Sequence, residues 1–164
     1  MRKHRDQLLF GLGLLLALGG PSAASLQKER LLRAGRPVLL ELAPRDPRSL
    51  MQGDYMDLDY VLSRKLQEQG SLPRTGRAVL CDDPRGVAVL VRVHGDEPLS
   101  AGEFLVRFRS RGLRPRIGAE SYFFQEGQAD RFQPARFGEL RVAEDGTALL
   151  VDLRDKDFRS LGRR

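Results

Sequence analysis

Gly53-Asp54-Tyr55-Met56-Asp57-Leu58-Asp59-Tyr60-Val61-Leu62 is the stretch whose periodicity sets the fold class. From Tyr55 onward, Met56, Leu58, Tyr60 and Leu62 fall on one side of an extended chain, and Tyr55, Asp57, Asp59 and Val61 on the other. A period of two predicts a half-buried strand over Tyr55 to Leu62, entered through Gly53-Asp54, where glycine allows a positive φ or a bulge. The same grammar recurs on both sides. Upstream, Pro37 to Leu42 reads as a strand closed by Pro44, and Asp46-Pro47-Arg48-Ser49-Leu50 suits one helical turn capped by Asp46, with Pro47 first. Downstream, Arg77 to Cys81 and Val87 to Val93 flank Asp82-Asp83-Pro84-Arg85-Gly86, a hairpin with a type I turn. Glu103 to Arg109 alternates Phe104, Val106 and Phe108 against Glu103, Arg107 and Arg109. A second hairpin joins Leu140-Val142 to Ala148-Val151 through Glu144-Asp145-Gly146-Thr147. About seven short strands with little internal helix predict a mainly β domain, a single small sandwich or partly open barrel.

Composition sets the outer limits. A chain of 164 residues with 41% hydrophobic and 30% charged residues is one folded domain plus its ends, neither disordered nor collagen-like. The formal charge is +6, and 24 of the 28 cations are arginine, which suggests compositional bias as readily as polyanion recognition and by itself names no partner; no nucleic-acid partner is expected. Cys81 is the single cysteine, so an intrachain disulfide and every multi-cysteine metal site are excluded.

The N-terminus predicts location. Arg2, Lys3 and Arg5 precede a stretch from Leu8 to Leu26 that carries no charge. Nineteen residues of helix span roughly 28 Å, just enough for a bilayer core, whereas the denser apolar part and the small residues Ser22-Ala23-Ala24 also suit a cleaved signal peptide. Either reading exports the rest of the chain. The organisation expected is therefore an N-terminal hydrophobic helix, anchor or signal, over residues 1–27 and an exported β-rich domain over 28–164. A single-pass protein of the inner (cytoplasmic) membrane would hold that domain on the periplasmic or extracytoplasmic side. Residues 27–34 read as a short helical extension ending at Gly35.

At Leu42 to Tyr60 the residues carry a resemblance. Gly53, Asp54, Tyr55, Leu58 and Tyr60 stand as in the signature of the bacterial GDYXXLXY family, preceded by Asp46-Pro47-Arg48. Gly118-Ala119-Glu120-Ser121-Tyr122-Phe123-Phe124-Gln125-Glu126-Gly127 and Ala135 to Val142 resemble that family's downstream blocks. The resemblance implies a bacterial membrane-anchored protein whose natural partner is a multi-pass membrane protein. It implies no reaction, cofactor or small-molecule ligand, because the family is functionally uncharacterised. The matching positions Asp46, Pro47, Arg48, Gly53, Asp54, Tyr55, Leu58, Tyr60, Gly118, Glu120, Phe124, Glu126 and Gly127 are expected to be structural.

Chemistry-bearing alternatives remain beside that reading. Asp46, Asp54, Asp57 and Asp59 could gather round a hard cation, but their spacing lacks the calcium-loop pattern, and Arg45 and Arg48 are ready partners for Asp46 or Asp54. Glu120 shares a face with Tyr122 and Phe124 and is paired by Glu126 beyond them. Partial burial there would suit acid–base work, unless Arg116 or Arg141 binds the carboxylate. His4 lies in the basic cap, so His94 has no histidine partner and a histidine triad is ruled out. A Ser–Lys pair would need Ser49 with Lys28, Lys65 or Lys156, and Lys65 is expected in a polar loop. Cys81 beside Asp82 and Asp83 is poorly set as a nucleophile. The arginine run Arg107, Arg109, Arg111, Arg114 and Arg116 reads first as a solvated face, second as a polyanion or lipid contact. The resulting expectation is a non-enzymatic, membrane-anchored accessory or binding domain of a membrane complex. The alternative is a hydrolase of the exported compartment using the Ser–Lys or paired-carboxylate site.

Overall fold

The computed structural model describes residues 25–26, 28–43, 51–52, 55–110 and 114–162. The chain divides into two units, Met1–Ala34 and Gly35–Arg164. In the first, residues 25–26 and 28–34 are helical, matching the expected helical extension. The expected hydrophobic helix lies almost wholly in residues 1–24, outside the described residues. Among the described residues no helix is long and apolar enough to cross a membrane.

The second unit is mainly β and holds three antiparallel sheets. In the first, β1 (Arg36–Glu41) and β10 (Ala148–Arg154) flank β9 (Phe137–Val142). In the second, β2 (Met51–Gln52) and β8 (Ser121–Phe123) flank β3 (Tyr55–Asp57). The third runs β5 (Ala88–Val93), β4 (Thr75–Asp82), β6 (Phe104–Ser110), β7 (Pro115–Arg116). Among the described residues none of these sheets closes into a barrel, so the expected architecture holds in its coarser form, mainly β and antiparallel. All three sheets contribute to one core: Val38 and Leu40 from β1, Met56 from β3, Ala78 and Leu80 from β4, Val106 and Phe108 from β6, Leu140 from β9 and Leu153 from β10. Ala78, Val79 and Leu80 are buried in succession, the mark of a strand covered on both faces.

Both predicted hairpins form. In the β4–β5 turn, Asp83 Oδ1 accepts hydrogen bonds from the N–H groups of Arg85 at 2.8 Å and Val87 at 3.0 Å, and Gly86 supplies φ +78°. The Val87 N–H, together with Arg85 and against some desolvation, holds the Asp83 carboxyl below its ordinary 3.8. A carboxyl whose folded value lies below its unfolded one stabilises the fold above the unfolded value, and that contribution is lost as pH falls through the folded value. The turn is therefore expected to loosen only in acid below about pH 4. An NMR titration of Asp83 with its midpoint at or above 3.8 would contradict this turn geometry.

The deciding stretch is corrected in its second half. The strand ends at Asp57, Tyr60 makes an isolated antiparallel bridge with Leu42, and Val61–Glu68 is a helix, α1. The apolar set read from the alternation is nonetheless buried: Met56, Leu58, Tyr60 and Leu62. Leu62 belongs to two patterns, the end of a period of two and the start of an i, i+4 pair with buried Leu66. Arg64, Lys65, Gln67 and Glu68 are good helix formers, and with Leu62 and Leu66 facing the core they turn the chain helical. Lys65 thus sits exposed in the last turn of a helix, not in a loop. A second short helix, α2 (Ala129–Phe132), buries Phe132 against Tyr122 and Phe124, at centroid distances of 5.1 and 5.2 Å.

Residues 155–162 fold back over β10. Ser160 bridges to Arg154, Leu161 N–H donates to Leu153 O at 2.9 Å, and the Phe137 and Phe158 rings stack at 4.8 Å. Buried Asp152 pins this return, accepting from Ser160 Oγ at 2.5 Å, Gly162 N–H at 2.8 Å and Leu153 N–H at 2.7 Å. The negative charge of Asp152, after the larger effect of burial, pushes the Tyr122 hydroxyl above its ordinary value. Next to it Arg154 grips buried Glu139 through Nε at 2.9 Å and Nη2 at 2.7 Å.

Candidate functional site

The singled-out residues of the two halves meet at the β3–β8 pair. Tyr55 stands opposite Phe123, Met56 opposite Tyr122 and Asp57 opposite Ser121. Where β3 ends, Leu58 N–H continues the pairing by donating to Glu120 O at 2.6 Å. Two residues on, the Tyr60 hydroxyl donates to Ala119 O at 2.7 Å. The Tyr60 ring is fully buried and lies over Gly138, where a Cβ would come within 3.1 Å of the ring and of its hydroxyl. Full burial, then the nearby charge of Glu120, pushes the Tyr60 hydroxyl far above its ordinary value. It therefore keeps its proton and serves as a fixed donor.

Glu120 closes the loop it sits in. Its Oε1 accepts from Ile117 N–H at 2.5 Å, and both carboxylate oxygens lie within 3.2 Å of Gly118 N, with Gly118 at φ +85°. Successive backbone N–H groups aimed at one carboxylate form an anion-holding concavity that the chain fills itself. Arg116 approaches Glu120 and Asp57 at 3.8 Å each, while Arg141 donates to Gly35 O at 3.4 Å instead. Of the two expected arginine partners, Arg116 is the one brought to Glu120, and the backbone amides hold it more closely.

Asp59 is buried at the start of α1, where its Oδ2 receives Arg64 Nε at 3.1 Å, Arg64 Nη2 at 3.0 Å and Arg114 Nη1 at 2.9 Å. One carboxylate thus ties α1 to the β6–β7 connection, while Asp59 O accepts from Ala43 N–H at 2.7 Å. Asp57 and Asp59 are bound to arginines. Among the described residues no group of three or more His, Cys, Asp or Glu side chains is placed to hold a metal ion. Asp46, Pro47, Arg48, Gly53 and Asp54, with Arg45 and Ser49, lie outside the described residues. Glu126 is exposed, Gly127 takes φ +78° in the turn after it, and Phe124 packs on Phe132. Lys65 and Lys156 are exposed on α1 and in the C-terminal return.

The surface of this assembly is aromatic. Phe123 is 74% exposed, its ring 5.8 Å from that of Tyr55 across the strand pair. Sequence reasoning passed over Asp152, Glu139 and Gly138. The signal for the first two was an acid inside an otherwise apolar strand, which demands a buried partner. Gly138 carries no such signal, since its need arises from a ring that is distant in sequence.

A family model described as GDYXXLXY protein matches residues 17–153. Comparison with curated proteins and with solved structures returns no match.

Proposed function

The chain belongs to the GDYXXLXY family, and from that premise we propose that it is a membrane-anchored, exported, non-enzymatic accessory domain docking on a multi-pass membrane protein. The reading places the domain on the periplasmic side of the inner membrane, tethered through residues 8–26, with no cofactor and no nucleic-acid partner. One observation carries it: Asp59, Glu120 and Tyr60, where the two blocks meet, are engaged in holding the fold, and beside them stands an aromatic pair with Phe123 outward. Asp59 is taken by two guanidinium groups, Glu120 by two backbone amides and Tyr60 by a carbonyl. Phe123, exposed and backed by the half-buried Tyr55 ring, then stands on the joined strands, and aromatics are a residue type that anchors protein interfaces.

A photo-crosslinker placed at Phe123 in the full chain, in native membranes, is expected to capture an integral membrane protein. The same group at exposed Leu99, on the connection between β5 and β6, is expected to capture none. Recovery of only free monomer from both positions would count against the accessory role. A reporter fusion after Arg164 that is active only in the cytoplasm would count against the export.

A further inference from the structure

Strand β6 sorts its residues, apart from half-buried Leu105, by face. Phe104, Val106 and Phe108 are buried, and Arg107 and Arg109 are exposed on the opposite face. Residues directly opposite on antiparallel neighbours share a face, so the register places Arg77 of β4 beside Arg107 and Arg116 of β7 beside Arg109. The arginine run read in the sequence is thereby divided: Arg107, Arg109 and Arg116 join this face, Arg114 leaves it for Asp59, and Arg77 arrives from thirty residues away. The Cα positions of these four arginines fall within roughly 10 by 7 Å at ordinary strand and residue spacings.

Like charges directly opposite destabilise a sheet, so this arrangement is not explained by stability. Asp145 lies beside the Arg77–Arg107 pair, 3.3 Å from Arg107 and within reach of the Arg77 charge, and Asp57 and Glu120 stand 3.8 Å from Arg116. Among the described residues neither Arg77 nor Arg109 forms an ion pair with a carboxylate. The side chains of Arg107 and Arg116 remain 53% and 63% exposed.

We propose that the arginine-bearing end of this face of β4, β6 and β7, beyond the covered Val79, rests on the anionic surface of the membrane, with Arg77, Arg107, Arg109 and Arg116 taking lipid phosphates. Guanidinium forks match phosphate oxygens two at a time, and a nearly planar array of them suits a plane of headgroups. The tether comes from the anchored reading above, on which this inference rests. The uncharged stretch ends at Leu26 and β1 begins at Arg36, so the connection reaches at most about 35 Å even when extended. That confinement raises the frequency with which the domain meets a surface whose attraction acts within a Debye length of about 8 Å.

The test uses the full chain in vesicles of phosphatidylcholine alone or with roughly 30% phosphatidylglycerol, treated with an arginine-selective dicarbonyl reagent and read residue by residue by mass spectrometry. In the anionic vesicles, modification of Arg77, Arg107, Arg109 and Arg116 is expected to slow about fivefold or more, with high salt restoring the rate. Arg159, 78% exposed in the C-terminal return, should react equally in both. Equal rates at the four arginines in both vesicles would overturn the proposal. Equivalent protection by soluble glycerophosphate in neutral vesicles would also overturn it, by showing a site for free phosphate anions. Flotation of the protein with neutral vesicles tests the anchor separately. If it fails to float there, the tether is lost, yet salt-sensitive flotation with anionic vesicles still supports the face, and flotation with neither overturns it. The variant R107Q/R109Q, at two exposed positions, is expected to melt at or slightly above wild type, as relief of the opposed like charges predicts, and to lose the difference between the vesicles.

Discussion

Tyr60→Ala is expected to lower the stability of the β domain by about 3–5 kcal/mol, the range for emptying a fully buried aromatic site. The ring fills space beside Gly138, and its hydroxyl bonds Ala119 O at 2.7 Å, so the substitution opens a cavity and unties the two meeting blocks together. Against a total of about 5–15 kcal/mol for a typical domain, such a loss brings the chain near its unfolding midpoint. Tyr60→Phe keeps the ring and leaves one buried carbonyl without its donor, a cost of about 1–2 kcal/mol. Circular-dichroism melts of the detergent-solubilised chain should therefore rank wild type above Tyr60→Phe above Tyr60→Ala. An alanine variant that melts with wild type would show that Tyr60 does not join the blocks.

The next largest effect is expected at Asp152→Ala, about 2–4 kcal/mol, because a buried carboxylate with three donors is removed at once. The N–H of buried Leu153 loses its acceptor, and the return of residues 155–162 loses its pin. Hydrogen exchange should rise first at Ser160 to Gly162, and Ser160→Ala should produce a smaller loss of about 1 kcal/mol at the same residues. If exchange over 155–162 is unchanged in Asp152→Ala, the pin is elsewhere. Gly162→Ala approaches the same defect from the other side, since its Cβ would lie within 2.5 Å of Asp152 Oδ1.

What could be read from the chain was whatever is written in neighbouring residues. Both hairpins were legible because Asp83-Pro84-Arg85-Gly86 and Asp145-Gly146 specify their turns locally, and β6 because Phe104, Val106 and Phe108 recur with a period of two, Leu105 being the one apolar residue on the other face. The helix α1 was not, because Leu62 completes one period while beginning another, and only the burial of Leu66 decides between them. The core side of Tyr55 to Leu62 came out correctly even though half the element was of another type, since Tyr60 and Leu62 are buried in either conformation. Arg116 was legible as a partner of Glu120, but its principal partners are backbone amides with no sequence signature. The partners of Asp59, Arg64 and Arg114, were not legible, because which arginine arrives depends on the turn into a helix and on a connection set far away. The cationic face illustrates the same limit: Arg107 and Arg109 are marked by alternation, whereas Arg77 and Arg116 join them through strand pairing.

The pairing of the first sheet carries a consequence for how the chain reaches its fold. β1 is the earliest strand of the domain, yet its neighbour is β9, with Arg36 meeting Val142 and Glu41 meeting Phe137. Tyr60 waits in the same way for Ala119, 59 residues later. Contacts this distant must close long loops before they return any stabilisation, which places folding in the range of roughly milliseconds to seconds. During synthesis the first strand therefore emerges well before its partner exists, with its backbone groups unpaired and Val38 and Leu40 uncovered. A chain interrupted anywhere before Phe137 never acquires that partner, and it presents an apolar strand edge to other chains instead.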